Sequence, residues 1–171
     1  MECIKLDKIS ITGGGIRYFY TSSHGFNKYL NSKDGFLFVE YPNDCDLNQV
    51  PKGILAIPFV GCMLSVSMLL NMRIEVPELD KTFFNCLPDI KKAYKKMYPY
   101  LNLSFDVSAQ KITNCQYTLE ETRSLFFTGG VDATSALVEV ADEHPLLINI
   151  WGGRHQYTRH CISYRIGTLF R

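Results

Sequence analysis

A pair of glycines between a short apolar run and a helical pattern is the feature that most constrains the fold of this chain. Residues 125–127 are apolar, Gly129 and Gly130 follow, and apolar residues then recur at helical spacing over residues 133–140. This order predicts a buried strand, a sharp turn and a helix. The first N–H groups of a helix lack partners and the helix dipole is positive there, so an anion is stabilised at this point. We therefore predict a phosphate site.

Polar side chains around the glycine pair add groups that a phosphate or its cation requires. The candidate binding residues are those of the turn and the first helical positions: Thr128, Gly129, Gly130, Val131, Asp132, Thr134 and Ser135. Asp132 is either a helix cap or the ligand of a bridging cation, because a lone carboxylate would repel a phosphate group. Mg²⁺ is usually held by one or two carboxylates together with phosphate oxygens. We therefore predict ATP and Mg²⁺ as ligands, with Asp132 as the metal ligand.

The segment 128–134, Thr-Gly-Gly-Val-Asp-Ala-Thr, resembles the Ser-Gly-Gly-x-Asp-Ser-Ser/Thr signature of the PP-loop ATP pyrophosphatase superfamily. The similarity covers residues 123–153, and the preceding region is similar more loosely to the N-terminal part of bacterial members. The resemblance implies an ATP-dependent ligase or synthetase that adenylates a substrate and releases pyrophosphate. The acceptor, a small molecule or a macromolecule, is not identified by the sequence, and the catalytic residues are unknown.

Carried over by position, the resemblance implies specific roles for the residues of the turn. Gly129 and Gly130 would contact pyrophosphate through their backbone N–H groups. Thr128 and Thr134 would contribute hydroxyl contacts, and Asp132 would lie near the metal. These roles follow from the resemblance and not from spacing alone.

Two departures from the signature leave an alternative open. Thr128 replaces a serine and keeps its hydroxyl, whereas Ala133 replaces a serine and loses a phosphate contact. A charge-assisted hydrogen bond contributes about 1.5–3 kcal/mol, so ATP binding can survive while turnover falls. No lysine follows Lys111, although catalytic lysines are common after the loop in this family. A nucleotide-binding module without turnover is therefore the second hypothesis.

A run of residues without charge, 53–72, is the second strong constraint on the fold. Its length suffices to cross a bilayer core of ~30 Å. Pro58, Gly61 and Ser65 dilute the run, and a proline suits the first turn of a helix, so few strongly apolar positions remain after it. We predict a buried core helix and no membrane span. A membrane-associated structural protein is the third hypothesis.

Periodicity and turn residues predict the remaining elements and the fold class. The expected elements before the loop are a hairpin over 3–20, strands at 36–41, 73–76, 103–109 and 112–119, and helices over 58–71 and 80–97. Pro77 is expected to end the strand at 73–76, and Pro88 to kink or restart the second helix. We predict an α/β protein with an N-terminal α+β region over residues 1–118. The start of a doubly wound parallel sheet, ordered strand–PP-loop–helix–strand, is predicted over residues 119–171.

The predicted nucleotide domain is short for its fold. A doubly wound sheet has about five parallel strands, and residues 124–171 leave room for two strands and one helix. The tail from Arg154 onward shows no strand–helix alternation. We therefore expect the N-terminal part of a longer protein, or a broken copy of one. The alternatives are that residues 1–118 complete the sheet or that a second chain does so in an oligomer.

Charge and cysteine content narrow the remaining function classes. The formal net charge of +1 gives no specific nucleic-acid signal. The six cysteines include no C-x-x-C pair, so buried reduced thiols and a cytoplasmic location are expected. Gly152 and Gly153 are placed either near an adenine or in a plain turn. His155 and His160 are spaced wrongly for one helical face, and we do not predict a metal site there.

Overall fold

A computed structural model describes residues 2–23, 26, 29, 36–41, 45–115, 123–151 and 163–168 of the chain. The strands are β1 Cys3–Thr12, β2 Gly15–Ser22, β3 Phe36–Glu40, β4 Arg73–Asp80, β5 Asp106–Thr113, β6 Ser124–Phe126, β7 Leu146–Trp151 and β8 Ser163–Thr168. The helices are α1 Lys52–Leu55, α2 Ile57–Leu70, α3 Lys81–Met97 and α4 Val131–Val140. Single 3₁₀ turns lie at Leu47–Gln49 and Ala141–Glu143. The predicted α/β class is confirmed.

All eight strands belong to one mixed sheet, in the order β5-β4-β1-β2-β3-β8-β7-β6. The strands β1, β4 and β5 are parallel, and β3 and β8 run in the same direction as these three. The strands β2, β7 and β6 run in the opposite direction. The pairing of β8 with β3 means that the last strands extend the sheet built by the first part of the chain. The described residues include two parallel strand–helix–strand units, β4–α3–β5 and β6–α4–β7, within a sheet that is mixed as a whole.

A β-bulge in β1 keeps its apolar residues on one face of the sheet. Before the bulge, Leu6 pairs with Tyr20, and after it Ile9 pairs with Tyr18, so the intervening Asp7 has no partner of its own. An extra residue shifts the two-residue alternation of a strand by one position. Ile4 and Ile9, an odd number of residues apart, therefore both contribute to the core below the sheet.

The helices α2 and α3 pack on this inner face. Phe59 of α2 is fully buried, with its ring centroid 5.8 Å from that of Tyr18. From α3, Leu87 is buried and Phe83 and Ile90 pack at the margin of the same core. The opposite face of the first five strands carries exposed residues such as Lys5, Arg17 and Ser108. Over the strands β1 to β5, one face of the sheet is therefore covered by helices and the other face is exposed to solvent.

The uncharged run forms helix in the structure, as predicted, and about half of it lies in the core. The segment Lys52–Leu70 is long and apolar enough to cross a membrane by length and composition, and 50% of it is buried inside the protein. Core helices of soluble proteins pass the same test, so this property is weak support for a membrane span. Pro58 lies in the first turn of α2 as expected, and Asn71 ends the helix in the left-handed conformation.

Several predicted boundaries are confirmed and three are wrong. The hairpin turn after Thr12 and the N-cap at Asp80 are confirmed; the Asp80 Oδ1 accepts a hydrogen bond of 3.0 Å from the Phe83 N–H. Pro88 lies inside α3 without ending it. The strand β4 continues through Pro77, because its pairing with β1 ends at Glu75 and the edge beyond needs no donor there.

The other two differences concern the second half of the chain. The strand β5, Asp106–Thr113, runs across the boundary between the two strands predicted at 103–109 and 112–119, and residues 116–119 of the second prediction lie outside the described part of the chain. Its alternation is weak, since Val107 alone is buried and only Ala109 and Thr113 are half-buried, so periodicity misplaced the start of the strand. The tail contains a strand, Ser163–Thr168, although no such element was expected from its sequence.

Candidate functional site

The predicted strand–turn–helix is present, and its turn has the geometry that the glycines were expected to give. The prediction that its strand is buried is wrong, because β6 lies at the edge of the sheet and Phe126 is 64% exposed. After β6, the Phe127 N–H donates to the Ile148 carbonyl oxygen at 2.8 Å. Gly129 then adopts a φ of +76°, a conformation that other residues rarely adopt. Gly130 has extended backbone angles and is the N-cap residue of α4, which begins at Val131. A left-handed glycine therefore turns the chain from the end of β6 into the helix.

The N-terminus of α4 has no side-chain cap. The Gly130 carbonyl accepts two hydrogen bonds from Thr134, one from its N–H and one from its Oγ1 hydroxyl, both at 2.9 Å. Because the Thr134 hydroxyl proton is donated to the backbone, it must rotate away before it can contact a phosphate oxygen. In this conformation the donors that the turn could offer an anion are the backbone N–H groups at the start of the helix.

The Thr128 side chain lies beside the helix N-terminus. A Cβ atom built on Gly130 would stand 3.7 Å from the Thr128 Oγ1, an ordinary van der Waals distance. Gly130 is therefore not required for packing, and its φ of −77° is open to any residue. The absence of a side chain at Gly130 leaves the approach to the first turn of α4 open, while the Thr128 hydroxyl flanks it.

Asp132 and Ser135 lie on exposed positions of α4. The described residues contain no group of three or more His, Cys, Asp or Glu side chains that could hold a metal ion. Asp132 is thus a single carboxylate in the first helical turn, a donor set that holds Mg²⁺ only together with phosphate oxygens and water. This arrangement fits a cation that arrives bound to ATP, and does not fit a metal held by protein ligands alone.

The helix α4 covers the sheet only loosely. Its half-buried residues are the four expected from helical spacing: Ala133, Ala136, Leu137 and Val140. No residue of the helix is fully buried, and the side chains of Val131 and Val138 are 86% and 73% exposed. At the other end of the unit, Arg123 forms an ion pair with Glu143, with Nη1 2.6 Å from Oε1. The loop is therefore open to solvent among the described residues.

A cavity of about 600 Å³ lies in a different part of the molecule, and sequence reasoning did not find it. Its walls come from four separated segments, residues 7–11, 48–55, 77–78 and 110–111. None of these segments carries a recognisable motif, and only the pairing of β1, β4 and β5 brings them together. The residues of the glycine turn are not among those that line it.

Comparison of the chain with family models, curated proteins and solved structures finds no match in any of the three. The resemblance to PP-loop proteins therefore rests on the residues of the turn. Two further interpretations, an adenine near Gly152 and Gly153 and the exclusion of a metal site at His155 and His160, concern residues outside the described part of the chain.

Proposed function

We propose that this chain binds ATP, with its phosphates at the N-terminus of α4 and Mg²⁺ bridging them to Asp132. The observation that carries the proposal is a helix whose first turn lacks any side-chain cap and follows a left-handed glycine at the end of a strand. Each uncapped N–H group is a donor for a phosphate oxygen, and the helix dipole adds a favourable field. The Thr128 hydroxyl flanks the same approach.

Turnover is a further step of the proposal. By its resemblance to PP-loop proteins, the chain would hold ATP for substrate adenylation and release of pyrophosphate. Residues 128–132 would orient the β- and γ-phosphates, and the cation at Asp132 would offset the charge of the leaving pyrophosphate. The acceptor and the residues that act on it are not assigned.

Nucleotide binding without turnover is the competing function, and Ala133 favours it. The residue lies in the first turn of α4, where the signature has a serine, and its methyl group is half-buried. A methyl group there cannot donate to a phosphate oxygen. The backbone contacts survive this substitution, whereas a transition state that needs the lost hydroxyl does not.

Calorimetric titration with ATP–Mg²⁺ tests the binding step. Gly130→Val places a branched side chain at the approach to the first turn without backbone strain, and should abolish or reduce binding at least tenfold. Gly61→Val is the matched control, since a Cβ at this exposed position of α2 would meet no atom within 4 Å. Asp132→Asn should weaken binding with Mg²⁺ more than binding without it.

The outcomes separate the candidate functions. Equal affinity in the parent and the Gly130→Val variant, or no heat in either, would contradict the phosphate site. Loss of binding in the variant with retained binding in the control would support it. Release of pyrophosphate from ATP by the parent would then establish turnover, and tight binding without release would establish the non-catalytic alternative.

A further inference from the structure

The cavity of about 600 Å³ opens where two parallel strands separate. β1 pairs with β4 only as far as Lys5 and Glu75, although both strands continue. Beyond the bulge at Asp7, β1 stays paired with β2 as far as Thr12, while β4 stays paired with β5 up to its last residue, Asp80. The strands β1 and β4 are thus neighbours, but beyond Lys5 and Glu75 each pairs only with the strand on its other side. Such a pair of strands leaves a crevice outside their carboxyl ends, and this is where α/β sheets bind ligands.

The helix α1 closes the inner side of this crevice and is held rigidly. The Tyr18 hydroxyl donates a buried hydrogen bond of 2.9 Å to the Leu55 carbonyl oxygen, and burial raises the pKa of Tyr18, so the donor keeps its proton. Gly53 packs directly on the end of β4, since a Cβ there would stand 2.9 Å from the Asp80 nitrogen. The helix α1 is therefore packed closely against β2 and β4 beside the cavity.

The lining of the cavity combines apolar surface with three basic and two acidic residues. Ile9, Ile11, Leu55 and Pro77 supply apolar surface from β1, α1 and β4. The Asn48 side chain adds an amide at the rim. A volume of several hundred Å³ with mainly apolar walls and a few polar groups is the usual form of a small-molecule site.

Three lysines, Lys8, Lys52 and Lys111, line the same cavity. Lys111 has a partner, because its Nζ lies 4.0 Å from the Glu78 Oε2. In the part of the chain that the structure describes, neither Lys8 nor Lys52 forms an ion pair. Asp7 and Glu78 also line the cavity, so its three lysines exceed its two carboxylates by one charge. Two of the lysines form no ion pair among the described residues, and a ligand with an anionic group would pair with them.

We propose that this cavity is a binding site for a small organic anion, a carboxylate or phosphate group attached to an apolar body. Lys8 and Lys52 contact the anionic group, and the isoleucines of β1 with Leu55 and Pro77 enclose the apolar body. The anionic group can be of either type, because both present oxygens to an ammonium group in the same way.

This site is separate from the glycine turn. The cavity adjoins the carboxyl ends of β1, β4 and β5, whereas the turn follows the carboxyl end of β6, which runs in the opposite direction. The two sites therefore lie at opposite ends of the strands of the sheet. Four strands also separate β1 from β6, a lateral distance of about 24 Å. A ligand in the cavity does not reach ATP at the turn of the same chain.

The test uses three probes with a common apolar body: phenylacetate, phenyl phosphate and the neutral phenylacetamide. Each is titrated into the full chain, and amide chemical shifts locate the binding by NMR. At least one of the two anions should shift residues of β1, β4 and α1 at millimolar concentration, and phenylacetamide should bind about tenfold more weakly or not at all. The anion that binds more tightly identifies the preferred group.

Two double variants connect the binding to the lysines. Lys8→Gln with Lys52→Gln should weaken binding of the anion about tenfold, since each of the two charges contributes about threefold. Lys92→Gln with Lys96→Gln, on exposed positions of α3, removes the same charge elsewhere and should leave the affinity unchanged. Equal binding of anions and phenylacetamide, unchanged affinity in the first variant, or no binding of any probe at 10 mM, roughly the weakest affinity of interest, would overturn the proposal.

Titration of the same variants with ATP–Mg²⁺ keeps this site distinct from the proposed nucleotide site. If the two sites are independent, Lys8→Gln with Lys52→Gln leaves ATP affinity unchanged, and Gly130→Val leaves phenylacetate affinity unchanged. Loss of ATP binding in the lysine variant alone would move the nucleotide to the cavity. That result would contradict the function proposed for the turn while supporting an anion site between β1 and β4.

Discussion

The first five strands and the last three are built very differently, although one sheet contains them all. Residues 3–113 enclose a continuous core in which Ile4, Tyr18 and Phe59 are fully buried. Among residues 123–148, for which the structure describes burial, Leu147 is the single buried hydrophobic residue. The helix α4 buries no residue completely. Among the residues whose burial the structure describes, the most specific motif of the sequence thus lies in the part with the fewest buried side chains.

This contrast shows that a recognisable turn and a well-packed core are separate properties of a chain. The glycine turn depends on local backbone geometry, which a few residues specify. The core depends on side chains that are distant in sequence, and its free energy comes from buried apolar surface. A loop on a weakly packed unit is also expected to open locally more often than the core does.

The largest expected effect comes from removing one large side chain in each part. Phe59→Ala empties a fully buried site between Tyr18 and Tyr20, and should lower the free energy of unfolding by about 3–5 kcal/mol. Leu137→Ala removes a half-buried side chain of α4 and should cost less than about 1 kcal/mol. Urea unfolding followed by circular dichroism measures both. Similar losses in the two variants would show that the two parts share one core.

A pair of glycine substitutions tests how tightly α1 is packed on β4. Gly53→Ala would place a Cβ 2.7 Å from the Thr113 Oγ1 and 3.0 Å from the Leu79 carbonyl carbon, so backbone must shift. We expect a loss of about 1–3 kcal/mol, as for other overpacked sites. Gly61→Ala, in α2 with no atom within 4 Å, should instead stabilise by up to about 1 kcal/mol. Equal midpoints of thermal unfolding for the two variants would contradict the close packing.

Sequence reasoning recovered the elements whose signals are local. The hairpin after Thr12, the helix beginning near Pro58 and the N-cap at Asp80 each depend on one or two residues and their neighbours. The turn at Gly129 and the half-buried stripe of α4 were likewise predictable, because both depend on local backbone angles and helical spacing.

Features that depend on partner strands could not be found in this way. The bulge at Asp7 is defined by the register of β1 against β2. The strand β4 can continue through Pro77 because its pairing with β1 ends at Glu75. Both determine the cavity, and neither has a signature in its own segment. Strand order has the same character, since β8 lies next to β3 although β3 ends at Glu40 and β8 begins only at Ser163.

A third test compares two adjacent glycines of the turn. Gly129→Ala forces a left-handed residue and should cost about 1–2 kcal/mol locally, while Gly130→Ala has allowed angles and should change stability little. Amide hydrogen exchange is the suitable measurement, because the unit from β6 to β7 is expected to open without global unfolding. Faster exchange in α4 of the Gly129→Ala variant, with unchanged exchange in β1 and β4, would show that the unit from β6 to β7 opens independently of the core. Equally faster amide exchange in every strand would instead show that the two parts of the sheet unfold together.

The smallest expected effect is a pH dependence confined to the wall of the cavity. Asp46 caps the 3₁₀ turn Leu47–Gln49, and its carboxylate accepts hydrogen bonds from the Gln49 Nε2 at 2.7 Å and the Asn48 N–H at 3.1 Å. These bonds, the one from the Gln49 side chain first, lower the pKa of Asp46 below its ordinary value. A lowered pKa in the folded state means that the cap contributes fully above the ordinary pKa of about 4 and that this contribution is lost as pH falls through the lowered pKa of the folded state.

Because Asn48 lines the cavity, this titration should be visible there and not in α4. The amide shifts of Asn48 and Gln49 should change as pH falls from 6 to 2, on the scale of ordinary aspartate titrations, roughly four units wide. Asp46→Asn keeps an acceptor oxygen at the cap but does not titrate, so its Asn48 and Gln49 shifts should stay nearly constant over the same range. If the Asn48 and Gln49 shifts of the parent protein stay as constant as those of the Asp46→Asn variant, the charge of Asp46 does not hold this wall of the cavity. A matching change in phenylacetate affinity would show that the cap also positions the cavity for its ligand.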